Sequence, residues 1–249
     1  MTVILCHAAK GGVGTTFLAA QLALGAARRG RRVTAVDLTG QDSLKLHFGL
    51  LPNQFLPGFL TATREPLAIA DVNLIDGYDE QRDPADTAAA VQELCNGSAN
   101  EVVIVDIAAG DRALFDLLLP DADLHLSALL PEPASLASLT RLAREVPVSK
   151  MEKTALVLNQ LEDRRKLSRH THRFIREVFG DQLIATVRRD EAVPEALATF
   201  ETLAKSAPQS VVLPDLEALA DAVLARCDAP IVELDGAAGM DGHTAQRAG

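Results

Sequence analysis

Apolar residues are arranged along the chain in two rhythms. Short Val-, Ile- and Leu-rich runs with little polar interruption occur at 2–7, 32–37, 67–75, 101–107, 124–130, 153–159 and 182–187. Longer stretches that are amphipathic at helical spacing, or rich in Ala, occur at 15–29, 84–95, 112–118, 134–144, 164–179 and 216–226. A strand with one face in water alternates apolar and polar residues, whereas a continuous run marks a strand covered on both faces. Such strands alternating with helices predict an α/β fold: a doubly wound, mostly parallel sheet flanked by helices, with right-handed crossovers. Residues 50–64 are punctuated by Pro and Gly and predict a long connection. With no internal repeat and no linker, 1–227 is expected to form one domain. Residues 228–249, with Gly and Ala among acids, are expected to be a disordered tail.

Charge and composition remove several functions from consideration. The chain has 249 residues and a formal charge of −10. Residues 228–249 account for −3 of it, with four acids and one Arg, so the body keeps −7. Nonspecific nucleic-acid affinity comes mainly from phosphate neutralisation, and an acidic chain is poorly suited to it. Aromatics are 4%, with no Trp and one Tyr, which argues against a base-stacking or sugar-binding platform. Cys6, Cys95 and Cys227 are far apart and form no Cys-x-x-Cys pair, so reduced thiols are expected rather than zinc or redox chemistry. No apolar run approaches the ~20 residues that span a bilayer. A cytoplasmic protein is expected, with peripheral recruitment to the inner membrane or cell pole only through a partner.

The first strand leads into Ala8-Ala9-Lys10-Gly11-Gly12-Val13-Gly14-Thr15-Thr16-Phe17, and a helix follows. A strand, a glycine-rich turn and a helix N-terminus form an anion cradle of backbone N–H groups, strengthened by the helix dipole. An ordinary phosphate loop reads G-x-x-x-x-G-K-S/T. Thr15 stands here where that lysine is expected.

The loop resembles the deviant Walker A motif, K-G-G-x-G-K-S/T-S/T, of the ParA/MinD family of P-loop ATPases. In that family the early lysine reaches across a nucleotide-sandwich dimer, and Lys10 holds its position. The resemblance assigns Lys10, Gly11, Gly12, Val13, Gly14, Thr15, Thr16 and Phe17 to nucleotide binding, with Phe17 in place of a phosphate-contacting hydroxyl. Val36-Asp37-Leu38-Thr39-Gly40-Gln41 resembles the D-x-D-P-Q switch, with Thr39 replacing the aspartate that orients water. Val103-Ile104-Val105-Asp106 with Ala108-Ala109-Gly110 resembles the Walker B strand and second switch. The resemblance implies ATP or ADP, weakly held, with Mg²⁺ on Thr16, Asp37 and Asp106. Leu156-Val157-Leu158-Asn159 resembles the strand whose Asn reads adenine. Pro131-Glu132-Pro133 and Arg188-Arg189-Asp190-Glu191 resemble later family segments. The resemblance spans about 1–227.

Gln41-Asp42-Ser43-Leu44-Lys45-Leu46-His47-Phe48-Gly49 resembles, more narrowly, the Q-N-x-L-R-L-H-F-G of the cellulose-biosynthesis (BcsQ/YhjQ) branch, as does Asn159-Gln160-Leu161-Glu162-Asp163-Arg164-Arg165-Lys166-Leu167-Ser168-Arg169. This implies an accessory or scaffolding role in bacterial cellulose production. The partners implied are a second copy of the chain and subunits of the synthase and secretion complex. The rivals are an active dimerising ATPase and a DNA-partition protein. Losing one charged contributor to phosphoryl transfer typically costs about 10³–10⁵ in rate. With Thr15 and Thr39 both substituted, hydrolysis near background is expected.

Two other clusters have plainer readings. Arg165, Arg169, His172, Arg173 and Arg176 share one side of a helix, read as a solvated face balanced by Glu162, Asp163 and Glu177 in preference to a site for an acidic partner. Arg28, Arg29, Arg31 and Arg32 surround a helix end at Gly30, where cations are favoured.

Overall fold

The computed structural model describes residues 1–59, 67–95, 100–146 and 151–229. Residues 60–64 of the expected connection, and the expected tail from 230 onward, lie outside the described residues.

The strands are β1 (Thr2–Cys6), β2 (Arg32–Leu38), β3 (Leu67–Ile69), β4 (Val72–Asp76), β5 (Glu101–Ile107), β6 (Leu124–Leu129), β7 (Thr154–Leu161) and β8 (Leu183–Arg188). They form one sheet in the order β3-β4-β2-β5-β1-β6-β7-β8. Every pairing is parallel except β3–β4. This is the expected doubly wound architecture. β1 lies between β5 and β6, so the chain leaves it towards one edge and later passes to its other side. In open α/β sheets, ligands bind beyond the strand carboxyl ends at such a reversal.

The helices are α1 (Thr15–Arg28), α2 (Pro84–Leu94), α3 (Arg112–Leu118), α4 (Pro133–Glu145), α5 (Lys166–Phe179), α6 (Ala192–Ala198), α7 (Leu203–Ser206) and α8 (Val212–Asp228). Successive strand residues face opposite sides of a sheet, and the core divides accordingly. Ile4 and Ile104 join Leu18 and Leu22 of α1 and Leu219 of α8. Leu5 and Val105 join Phe115 of α3 and Ile175 of α5 on the other face. Both faces are covered, which is why the strand runs in the sequence have little polar interruption.

Two predicted elements are corrected. Residues 67–75 are not one strand but an antiparallel hairpin, turned at Ala70 and Asp71 with φ of 50° and 62°. The last helix begins at Val212 rather than 216, with Pro214 inside its first turn, where no backbone N–H is needed. The expected end of α1 is present: Gly30 follows it at φ 75°. Its arginines are fixed to α8, Arg28 and Arg29 by Glu217, Arg29 by Asp221 and Arg31 by Asp228. All three cysteines are free thiols.

Candidate functional site

Register places the chemistry. In the parallel ladder Asp37 of β2 pairs with Asp106 of β5 on one side and Asp76 of β4 on the other. Neighbouring strands are about 4.8 Å apart, so three carboxylates stand in a row at the strand ends. Beside them the loop after β1 turns into α1. Gly12 and Gly14 have φ of 75° and 86°, in the left-handed region. α1 starts without a side-chain cap, so its first N–H groups face the space ahead of it. A cleft of about 530 Å³ opens there, bounded by the loop, the segment after β2, the end of β5, Asn159 and Gln160, and residues 188–191.

Asp106 is the least satisfied group in the cleft. It is 1% exposed, and neither carboxylate oxygen has a hydrogen-bond partner among the described residues. Burial pushes its carboxyl up to about 7, against the nearby Thr16 hydroxyl, and the charge of Asp37 adds to the rise. A buried carboxylate without donors is unfavourable unless something cationic meets it. A hard cation with oxygen ligands suits it, and Thr16, also bordering the cleft, supplies a second oxygen. These two residues therefore fit a divalent cation. Among the described residues no group of three or more His, Cys, Asp or Glu gathers around an ion, so the remaining ligands would be water and a bound phosphate.

Asp37, the third residue assigned to the metal, is committed elsewhere. Its Oδ1 accepts from the Thr39 N–H at 2.8 Å and the Thr39 hydroxyl at 2.7 Å, and its Oδ2 accepts from the Leu44 N–H at 3.1 Å. Burial raises its pKa, and these hydrogen bonds oppose the rise. Thr39, in the place of the water-orienting aspartate, is itself buried and turned onto Asp37. Asp37 thus anchors the chain after β2.

The remaining assigned residues divide into those at the cleft and those held away from it. Gly11, Gly12, Gly14, Thr15, Thr16 and Phe17 border it. Val13 is buried behind the loop. Phe17 is buried, its ring 5.5 Å from that of His47, which also borders the cleft. Burial lowers the His47 pKa to about 4, so its imidazole is neutral at neutral pH. Asn159 is buried, and its Nδ2 donates to the Val13 carbonyl at 2.8 Å. Its Oδ1 accepts the Gln160 N–H at 2.9 Å. A Cβ on Gly14 would lie 2.4 Å from that Nδ2, so Gly14 is glycine for space as well as for φ. The side chain expected at adenine braces the loop, leaving its second amide hydrogen and one Oδ1 lone pair for a base.

Lys10 is not at the cleft. Its Nζ lies 3.6 Å from Oε2 of Glu132 at the start of α4. Arg188 is clamped by both oxygens of Asp215, and Arg189 by Glu191. Lys45, 1% exposed, pairs with Asp42 and donates to the Gln54 carbonyl at 2.7 Å. Asp215 and Asp76 had no signal of their own in the sequence as site residues, and Glu132 and His47 were present only as members of resembling segments. Their partners are distant or in another strand, and neither composition nor spacing reports that. On α5 the expected balancing acids are only partly used: Glu162 pairs with Arg165 and Arg189. The exposed Arg169 donates to the backbone carbonyls of Asp163 and Arg164 instead.

No match was found among curated proteins. Solved structures match over most of the chain. A chain of the MinC:MinD cell division protein complex of Aquifex aeolicus is 18% identical, with a TM-score of 0.75, covering 90% of this chain and 96% of that one. A ParA family ATPase from Chlorobium tepidum TLS is 19% identical, with a TM-score of 0.72, covering 88% and 97%. The septum site-determining protein MinD from Pyrococcus horikoshii OT3, complexed with Mg-ADP, is 20% identical, with a TM-score of 0.70, covering 90% and 97%. At these identities the likeness shows the fold. A family model matches residues 4–203, and by it the chain belongs to the CobQ/CobB/MinD/ParA nucleotide-binding domain family.

Proposed function

We propose that this chain is a ParA/MinD-fold accessory protein of bacterial cellulose biosynthesis, which binds nucleotide weakly, hydrolyses it at background rate and works as a scaffold or localisation factor. The observation that carries the loss of hydrolysis is the absence of free charge where phosphoryl transfer needs it. Thr15 replaces the loop lysine, and Thr39 replaces the water-orienting acid and faces Asp37. Phosphoryl transfer is accelerated by positioned cations and a positioned nucleophile, and this cleft supplies neither from its own side chains. What remains is a cradle of backbone amides with Thr16 and Asp106, which suits Mg-ADP or Mg-ATP as a bound ligand. In that role the nucleotide holds a conformation or a pair of subunits together. The cellulose assignment rests on the likeness of residues 41–49 and 159–169 to that branch of the family. The partners proposed are a second copy of the chain and subunits of the cellulose synthase and secretion complex. No helix of the described residues is long and apolar enough to cross a membrane, so contact with a membrane-bound synthase would be peripheral.

Calorimetry with Mg-ATP tests the site, and co-purification with synthase subunits tests the role. The parent is expected to bind at least about tenfold more weakly than the Thr15→Lys variant, which regains a charge-assisted phosphate contact. Equal affinity would remove the argument from the missing lysine.

The rival reading, a dimerising positioning or partition ATPase, draws on the likeness to MinD and ParA structures and on Lys10, whose side chain is 38% exposed and held by one loose ion pair. Sustained turnover would favour it. DNA affinity in the micromolar range that falls steeply with salt would favour its partition form.

A further inference from the structure

We propose that the exposed face of α5 binds the surface of an anionic phospholipid bilayer, so that the chain docks on a membrane directly. The inference goes beyond the nucleotide and scaffold reading and uses no residue of the cleft, so either can fail without the other.

Two properties that are thinly spread elsewhere are concentrated on this helix. Residues 164–176 carry six of the chain's 24 Lys and Arg side chains and no acid, in a chain of net charge −10. All six are exposed, and Arg164, Lys166 and Arg173 form no ion pair among the described residues. The acids expected to neutralise this face do so incompletely: Glu162 pairs with Arg165 and Arg189, and Glu177 with no cation among the described residues. Of the ten large apolar side chains exposed among the described residues, Leu167, Phe174 and Val178 lie on this one helix. Their spacing of seven and four residues puts them along one edge, over about 16 Å. Arg169, Arg173 and Arg176 line the opposite edge by the same periodicity. Ser168, Thr171 and Ile175 form the buried side.

The two edges together select the ligand. The phosphates of a nucleic acid would meet the arginines and leave Phe174 and its neighbours in water. An acidic protein segment laid along one edge would leave the other bare. A bilayer surface is broad enough to meet both. Its headgroup phosphates take the cations, whose long stems let the charge reach outward, and the boundary between headgroups and acyl chains takes the apolar edge. Each cation close to an anionic surface raises partitioning roughly fivefold. The rest of the chain is more acidic than the whole and is repelled by the same surface, which orients the protein on it.

The test is sedimentation of the full chain, without nucleotide, with vesicles of pure phosphatidylcholine and of an equal mixture with phosphatidylglycerol. Binding is expected on the mixed vesicles alone and should fall as salt is raised. Replacing Arg164, Lys166 and Arg173 together by Gln breaks no ion pair of the described residues and is expected to lower partitioning about 100-fold. Leu167→Ala with Phe174→Ala, both at exposed positions, is expected to lower it about tenfold. Lys205→Gln on α7 is expected to leave it within about twofold. Melting curves check that each variant is folded. No binding by the parent, equal binding to both vesicles, or a triple Gln variant that binds like the parent overturns the inference. So does a Leu167 and Phe174 double variant within about twofold of the parent, because the apolar edge then takes no part. Binding of duplex DNA that needs the same three cations, with no binding to vesicles, overturns it in favour of a nucleic-acid face.

Discussion

The ends of β2 and β5 carry the same residue at the same register and treat it in opposite ways. Asp37 is fully buried and accepts three hydrogen bonds from the segment that follows it. Asp106, its neighbour across the ladder, is as buried and has only the nearby Thr16 hydroxyl to favour its charge. Burial disfavours both charges, but at β2 the fold answers with its own donors, whereas at β5 the answer has to come from outside. One strand end is therefore architecture and the other belongs to the candidate site, although the sequence motifs present both as retained acids.

The largest effect that sharpens this contrast is expected from Asp37→Ala. It leaves the buried Thr39 and Leu44 N–H groups without their acceptor, and about 3 kcal/mol of stability should be lost in urea unfolding. A loss no greater than that of Asp106→Ala would break the comparison. Asp106→Asn should have the opposite sign. Its carboxyl is raised to about 7 in the folded chain, above the value of about 3.9 in the unfolded one. Between these values the folded state holds a proton that the unfolded state has released, so stability falls as pH rises through the window. Without divalent cations the Asn variant should gain about 2 kcal/mol at pH 8, with the gain fading towards pH 4. A gain independent of pH would show that the carboxylate is not the source. Thr39→Val removes one of the three donors to Asp37 and should cost about 1 kcal/mol. Glu132→Ala releases Lys10 from a half-exposed pair and should change stability by less than about 0.5 kcal/mol, a null control for both strand ends.

The contrast also marks how far the sequence could be read. The sheet was legible because both its faces are covered, so β1, β5 and β7 appear as nearly continuous apolar runs, and β2 and β6 as runs broken only by buried Thr34, Asp37, His125 and Ser127. The hairpin of β3 and β4 was not, because its turn falls on Ala70 and Asp71. Such turns usually show Asn-Gly or Asp-Gly, and Ala70 reads as a continuation of the strand. Pro194 and Pro214 each lie in the first turn of a helix, α6 or α8, where proline is tolerated. The glycine loop, Thr16 and Asp106 were legible from residue type and order. The capture of Lys10 by Glu132, of Arg188 by Asp215 and of Asn159 by the Val13 carbonyl was not. Each joins positions 27 or more residues apart, and no local pattern records such a pairing.

Steady-state phosphate release from Mg-ATP by the pure full-length chain, set beside the Asp106→Ala variant, measures directly whether this cradle retains the charges of a motor. The two proteins are expected to be indistinguishable from each other and from buffer. Sustained release by the parent that disappears in the variant would contradict the account.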